Sequence, residues 1–340
     1  MTTHMRNEIN EIPEAARKLL DLQGDALREA GERLRKTDPR FLVTVARGSS
    51  DHAASLLKYA VELTVGAPVA SIGPSVASIY GARLKLAGAA CIAVSQSGKS
   101  PDIVALAEQA RRDGALTIAL TNTPGSPLAS AADHPIDIAA GLERSVAATK
   151  TFVNSALAGL AILAEWAQDE ALKRAIEDLP DRLAEAVNCD WSAFADAVGD
   201  HDSLFVLGRG PVLAIANEAA LKFKETSAVH AESYSAAEVM HGPLALVEPG
   251  FPVLALAIED RARPSILSVA ATVADKGAGV FVTGGGAPGA GSLPFAATGH
   301  PLTDPLSLIV SFYGLVEAFS RGRGYDPDKP RNLKKVTETL

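Results

Sequence analysis

The feature that most constrains this chain is that it repeats itself. The segment Phe41-Leu-Val-Thr-Val-Ala-Arg47-Gly48 is echoed by Leu204-Phe-Val-Leu-Gly-Arg209-Gly210, and helical sequence follows each. Further on, Tyr80-Gly81 answers His241-Gly242, Cys91-Ile-Ala-Val answers Val253-Leu-Ala-Leu, and Arg112-Asp113-Gly114-Ala115 answers Lys276-Gly277-Ala278. The offset stays between 161 and 163 residues throughout. Loop drift absorbs so small a spread, so the chain reads as two copies of one supersecondary unit. A length of 340 residues has room for two cores of about 150 residues each.

Within the first copy, the apolar run at 41–46 ends in Arg47-Gly48-Ser49-Ser50-Asp51 and passes into helical sequence at 53–63, the βα step of a parallel sheet. Strand-like runs follow at 68–72, 91–95, 116–121 and 134–138, with helical segments such as 103–112 between them. This alternation predicts an α/β fold in which each copy is an open parallel sheet flanked by helices. Residues 5–37 place Ile9, Ala16, Leu19, Leu20 and Leu27 at helical spacing, which predicts an N-terminal helical arm over 1–37. Helical sequence from about 149 to 187 closes the first copy. The expected organisation is therefore an arm at 1–37, copies at 38–187 and 188–325, and a tail at 326–340.

Composition narrows the functional classes. Hydrophobic residues make up 47% and charged residues 21%, the balance of a folded globular chain. With a net charge of −8 and no run of Lys and Arg, nothing supplies a general grip on nucleic acid, and an anionic ligand would need local donors. Cys91 lies in the apolar run Ala90-Cys91-Ile92-Ala93-Val94 and Cys189 is distant, so no structural disulfide is expected. The polar first dozen residues and the absence of an 18-residue apolar run predict a soluble, cytoplasmic protein without membrane partners.

Two segments carry candidate chemistry. Ser95-Gln96-Ser97-Gly98-Lys99-Ser100 stands between a strand and a helix that starts near Pro101-Asp102, where hydroxyls and free N–H groups can bind phosphate. The alternative is a plain helix cap. The second copy has Ala257-Ile258-Glu259 at the equivalent place, so no cap is required there. Ser49 and Ser50 would face the same crevice if the two strand ends converge at a topological switch point. In the second copy, Glu218, Lys222 and Glu225 share a helix face, either as a solvated surface group or as part of a site. His230, Glu232, Glu238 and His241 follow in close order without metal-ligand spacing, so no metal is predicted. Gly208-Arg209-Gly210 and the Gly-rich stretch 284–291 lack a dinucleotide fingerprint, and no cofactor is expected. From its pattern alone, the C-terminal stretch Asp326-Pro-Asp-Lys-Pro330-Arg331-Asn332-Leu333-Lys334-Lys335 reads as a frayed end.

Taken in order, these segments resemble the isomerase half of glucosamine-6-phosphate synthase, a tandem pair of sugar isomerase (SIS) domains. The likeness rests on Asn7-Glu8-Ile9 with Pro13, Ser95-Gln-Ser-Gly, Val146-Ala-Ala-Thr-Lys-Thr-Phe152, Ala220-Leu-Lys-Phe-Lys-Glu225, His230-Ala-Glu, His241-Gly-Pro-Leu-Ala-Leu246 and Pro330-Arg-Asn-Leu. The resemblance implies a phosphate cradle of Ser95, Gln96, Ser97 and Ser100, with Ser49, Ser50, Val146, Ala147 and Lys334 lining the sugar site. It implies Glu225 as the base that moves a proton between C1 and C2, with Lys222 beside it. His241, supplied by the neighbouring subunit of a homodimer, would open the sugar ring. Lys335 would meet the sugar carbonyl as a Schiff base, which requires an ordered tail over the site. Departures from the synthase pattern are Lys99 in place of an acid, Ala148 in place of a hydroxyl residue, and Lys334 in place of a small residue. They bear on which sugar is taken and leave the reaction type unchanged.

The synthase-like sequence begins within the first ten residues, so a glutamine-hydrolysing half ahead of it is not expected. The leading expectation is therefore deamination of glucosamine 6-phosphate to fructose 6-phosphate and ammonia. The alternatives are a fructosamine-6-phosphate deglycase, a galactosamine-6-phosphate deaminase, a synthase served by a separate amidotransferase, and a non-enzymatic sugar-phosphate sensor. No helix-turn-helix pattern occurs in residues 1–37 to favour the sensor.

Overall fold

The computed structural model describes residues 2–335, and the tail residues 336–340 lie outside that range. The described residues form two compact units that interleave along the chain. One holds residues 12–143 and 150–180 with Lys334 and Lys335; the other holds 2–11, 144–149 and 181–333.

The N-terminal arm is two helices, α1 (His4–Asn10) and α2 (Ile12–Thr37), one in each unit. Pro13 explains the break: it has no N–H to continue a preceding helix but fits the first turn of a new one. The first unit continues with β1 (Leu42–Val45), α3 (Ser49–Thr64), β2 (Val69–Ser71), α4 (Ser75–Ser78), β3 (Ala90–Val94), α5 (Pro101–Arg112), β4 (Leu116–Thr121), α6 (Pro127–Ala131) and β5 (His134–Asp137). Its sheet is wholly parallel in the order β2-β1-β3-β4-β5. Strands such as β1 and β3 are buried at every position, which is why they read as continuous apolar runs and not as alternation.

Helical sequence at 149–187 resolves into α7 (Lys150–Ala167), α8 (Glu170–Glu177) and α9 (Leu179–Ala186). The first break falls at Gln168, whose φ of +53° ends α7; Asp169 then caps α8 by accepting from the N–H groups of Ala171 and Leu172. Within its unit, α7 packs against α2 and α3 and is buried on nearly all faces.

The second unit contains α10 (Ser192–Val198), β6 (Ser203–Gly208), α11 (Val212–Ser227), β7 (His230–Ser235), β8 (Pro252–Ala255), α12 (Arg263–Ala274), β9 (Gly279–Thr283), β10 (Gly291–Leu293) and α13 (Asp304–Gly322). Its sheet, again parallel, runs β10-β9-β8-β6-β7. Counted from its own first strand, this is the order of the first sheet, so the repeat in the sequence is a repeat in topology. In each sheet the strand order reverses beside the first strand, and α/β folds bind ligands in the crevice at that point.

Candidate active site

In the first unit the crevice lies between the carboxyl ends of β1 and β3. It is a cleft of about 390 Å³ lined by Arg47, Gly48, Ser50, Ser95, Gln96, Ser97, Ser100 and Lys335, among others. Its size suits a small polar ligand. The loop after β3 is folded by its own donors: Gly98 N–H donates to Ser95 Oγ (3.2 Å) and Lys99 N–H to Ser97 Oγ (3.3 Å). The next strand end braces it, because Asn122 N–H (3.0 Å) and Thr121 Oγ1 (3.3 Å) both donate to the Gln96 carbonyl. Ser100 occupies the N-cap position of α5 yet makes no side-chain capping bond. The capping alternative therefore fails for this residue. Since Ser100 and Ile103 line the cleft, the positive end of α5 lies against it.

Two cationic groups complete this cleft. Arg47 donates to Asp102 through Nε (2.7 Å) and a terminal nitrogen (2.5 Å), with the Asp102 side chain fully buried. Lys335 donates through Nζ to Glu143 Oε2 at 2.8 Å. Glu143, also fully buried at its side chain, accepts from Thr151 Oγ1 (2.7 Å) and Thr151 N–H (3.2 Å) in the first turn of α7. Of the other expected residues, Ser49 starts α3 but does not line the cleft, and Lys334 is exposed.

In the second unit, α11 carries the other group. Lys222 is completely buried, with Nζ 2.5 Å from Glu225 Oε2 and 3.2 Å from Glu218 Oε1. Tyr313 Oη donates to Glu218 Oε1 at 3.2 Å, tying α13 to the group. Burial by itself pulls the pKa of the Lys222 ammonium down, but the charges of Glu218 and Glu225 outweigh it and the net direction is up. Lys222 thus keeps its proton and fixes one oxygen of Glu225, while the Glu225 side chain remains partly exposed. Glu225 lines a second cleft of about 410 Å³, where Tyr325, Asp326, Lys329 and Arg331 of the tail form the opposite wall. His241 is exposed, between two short 3₁₀ turns at Glu238–Met240 and Pro243–Leu246, and does not line that cleft. Val146 is half-buried and Ala147 buried in the 144–149 loop, which Glu8 of α1 holds through the N–H groups of Arg144 and Ser145.

Arg47, Glu143 and Glu8 are not among the residues that the sequence marks for the site. Arg47 is visible there as a member of the repeat, and Glu143 stands three residues before the Val146 segment. Their partners are remote in sequence or lie at the far end of the chain, so no local pattern announces them. Among the described residues no group of His, Cys, Asp and Glu is placed to hold a metal ion. No helix of the described residues is long and apolar enough to cross a membrane.

Two parallel sheets of one strand order, the first with a hydroxyl-lined cleft at its switch point, define a doubled open-sheet α/β protein. The chain belongs to the SIS domain family, whose model matches residues 37–164 and 199–286. It is homologous to the isomerase half of glutamine–fructose-6-phosphate aminotransferases. The enzyme of that name from Symbiobacterium thermophilum is 34% identical over 97% of this chain and 58% of its own length. The chain thus spans somewhat over half of that relative. Among solved structures, a candidate phosphosugar isomerase from Silicibacter pomeroyi DSS-3 superposes with a TM-score of 0.94 at 58% identity, over 96% of this chain and 100% of that one. The C-terminal domain of glucosamine–fructose-6-phosphate aminotransferase from Francisella tularensis gives 0.85 at 25%, over 97% and 99% respectively.

Proposed function

We propose that this protein is a phosphosugar aldose–ketose isomerase whose leading reaction is deamination of glucosamine 6-phosphate to fructose 6-phosphate and ammonia. The observation that carries the reading is a primary amine, Lys335 Nζ, lining the same cleft as the Ser95–Ser100 loop. An anion cradle beside an amine suits a ligand that bears both a phosphate and a carbonyl. In this reading the loop and the positive end of α5 hold the phosphate, and Lys335 meets C2, the carbonyl carbon of the open-chain ketose.

Glu225 takes the proton from C2 of the open-chain aldose and returns it to C1, which moves the unsaturation to C2. With an amino group at C2 the product is a C2 imine; the Lys335 amine adds there and displaces ammonia, and water then cleaves the lysine imine to release the ketose and restore the amine. Lys222 holds the carboxylate in place and offsets the negative charge that develops on the enediolate or enolamine. His241 is proposed to open the ring, acting from the neighbouring subunit of a homodimer, since imidazole can both give and take a proton near neutral pH. The names of the curated relatives favour a second reading, in which the same steps run toward amination with nitrogen supplied by a glutaminase.

The test is ammonia release from glucosamine 6-phosphate, galactosamine 6-phosphate and a fructoselysine 6-phosphate in parallel, together with interconversion of fructose and glucose 6-phosphates. Glu225→Gln is expected to lower kcat by about 10²- to 10⁴-fold while phosphosugar still binds. Absence of every one of these reactions in the wild-type protein, or full turnover in Glu225→Gln, would remove the proposal.

A further inference from the structure

We infer that Glu143 is the proton acceptor and counter-ion for Schiff-base formation at Lys335, an inference that rests on the carbonyl chemistry proposed above. Three observations carry it. The Glu143 side chain is fully buried, whereas that of Lys335 is 25% exposed and lines the cleft with Ser95, Ser97 and Ser100. Nζ lies 2.8 Å from Glu143 Oε2, within the range for direct proton transfer. Finally, Thr151 grips both carboxylate oxygens, its N–H on Oε1 and its hydroxyl on Oε2, at the N-terminus of the 18-residue helix α7. That grip fixes the direction in which the carboxylate faces the amine.

An ion pair serving only stability is an uneconomical reading of this geometry. Taking a carboxylate out of water costs several kcal/mol, and replacing such a pair with apolar residues is often neutral or better. Here the cationic end also reaches a cleft lined with hydroxyls, where an ammonium as such cannot attack a carbonyl. Something must take its proton, and Glu143 is in contact with it.

Glu143 accepts one proton from the Lys335 ammonium, and the freed lone pair forms the C–N bond to the sugar carbonyl carbon. A second amine proton passes to the former carbonyl oxygen, giving a neutral carbinolamine. Glu143 then returns its proton to that hydroxyl, the C–O bond breaks, and water leaves. The product is a protonated iminium that retains one nitrogen-bound hydrogen, with the Glu143 carboxylate as its counter-ion. Protein and sugar together lose one water and no net charge changes.

The experiment traps the iminium with borohydride, which reduces it to a stable secondary amine detected by peptide mass at Lys335, using fructose 6-phosphate as the probe. Glu143→Gln should trap at least about 10²-fold more slowly than wild type, with kcat falling in parallel and KM within about twofold. Glu143→Asp, whose carboxylate is drawn back from Nζ, should fall between the two, and it carries the test if Glu143→Gln fails to fold. Trapping at the wild-type rate in either variant overturns the inference and leaves the proposed function standing. A raised KM at unchanged kcat assigns Glu143 to holding the cleft's shape, which also overturns it. Absence of any adduct in the wild-type protein overturns the inference together with the Schiff-base step beneath it.

Discussion

At Gly98 the backbone has φ +60°, and a Cβ built there would lie 2.2 Å from Ser126 Oγ and 2.9 Å from Thr121 Oγ1. Neither neighbour can give way cheaply. Ser126 caps α6 by accepting from Ala129 N–H, and Thr121 braces the Gln96 carbonyl. Gly98→Ala therefore incurs left-handed strain of roughly 1–2 kcal/mol and displaces the loop that presents Ser95, Gln96 and Ser97. KM for a phosphosugar is expected to rise by about tenfold or more, measurable by initial rates and by titration with inorganic phosphate. Ser97→Ala, which removes one hydroxyl, should raise KM less and leave kcat nearly unchanged, because a phosphate contact is present in ground and transition states alike. An unchanged KM in Gly98→Ala would mean that phosphate does not sit on this loop. The Ser-Gln-Ser-Gly spacing is local, which makes this cleft-lining loop, the proposed cradle, legible in the amino-acid sequence. Arg47 is not legible there as a cleft residue, because what orients it is Asp102, 55 positions further along.

Helices α2 and α7 approach one another through Gly31. A Cβ at that position would be 2.5 Å from Glu165 Cβ and 2.7 Å from the Ile162 carbonyl oxygen, and the backbone carbonyl cannot swing aside. Gly→Ala inside a helix ordinarily stabilises by up to about 1 kcal/mol. At Gly31 that gain is set against overpacking worth about 1–3 kcal/mol, so net destabilisation is expected. Gly24, on the same helix with no atom within 4 Å of its built Cβ, is the control: Gly24→Ala should stabilise. Urea unfolding of the two variants decides it, and equal shifts of the same sign would refute the close-approach account. Sequence pattern is informative at this scale where elements are apolar and periodic, as the five strands of the first sheet show. It is less so where one residue decides. The single expected arm is α1 and α2, divided at Pro13, and one long helical stretch is cut at Gln168 by a left-handed residue that no periodicity marks.

Duplication of one sheet topology organises the whole chain. Both sheets share one strand order, and both carry an Arg-Gly step after their first strand. Only the first copy keeps a hydroxyl-rich loop at its switch point. In the second copy Glu259 occupies the corresponding stretch and pairs with Arg263 at 3.1 Å, while the Ala257 backbone is bonded to Thr283 Oγ1. In the proposed reading the copies divide the labour, the first holding the phosphate and the second supplying Glu225 with Lys222 and Glu218 beside it. The proposed dimer extends this division to His241, whose exposed turns also expose Met240 and Leu246, apolar neighbours suited to cover by a second copy. If His241 acts on the partner's substrate, neither Glu225→Gln nor His241→Asn should be active alone. In a heterodimer of the two, however, one site would combine an intact Glu225 with an intact His241. Random reassortment of an equal mixture should then recover about a quarter of wild-type activity per chain, since half the dimers are mixed and each has one complete site. Recovery should follow subunit exchange in time and be absent when the two variants are assayed before exchange. A mixture that stays inactive after exchange has been verified by mass would place the histidine's action within its own chain.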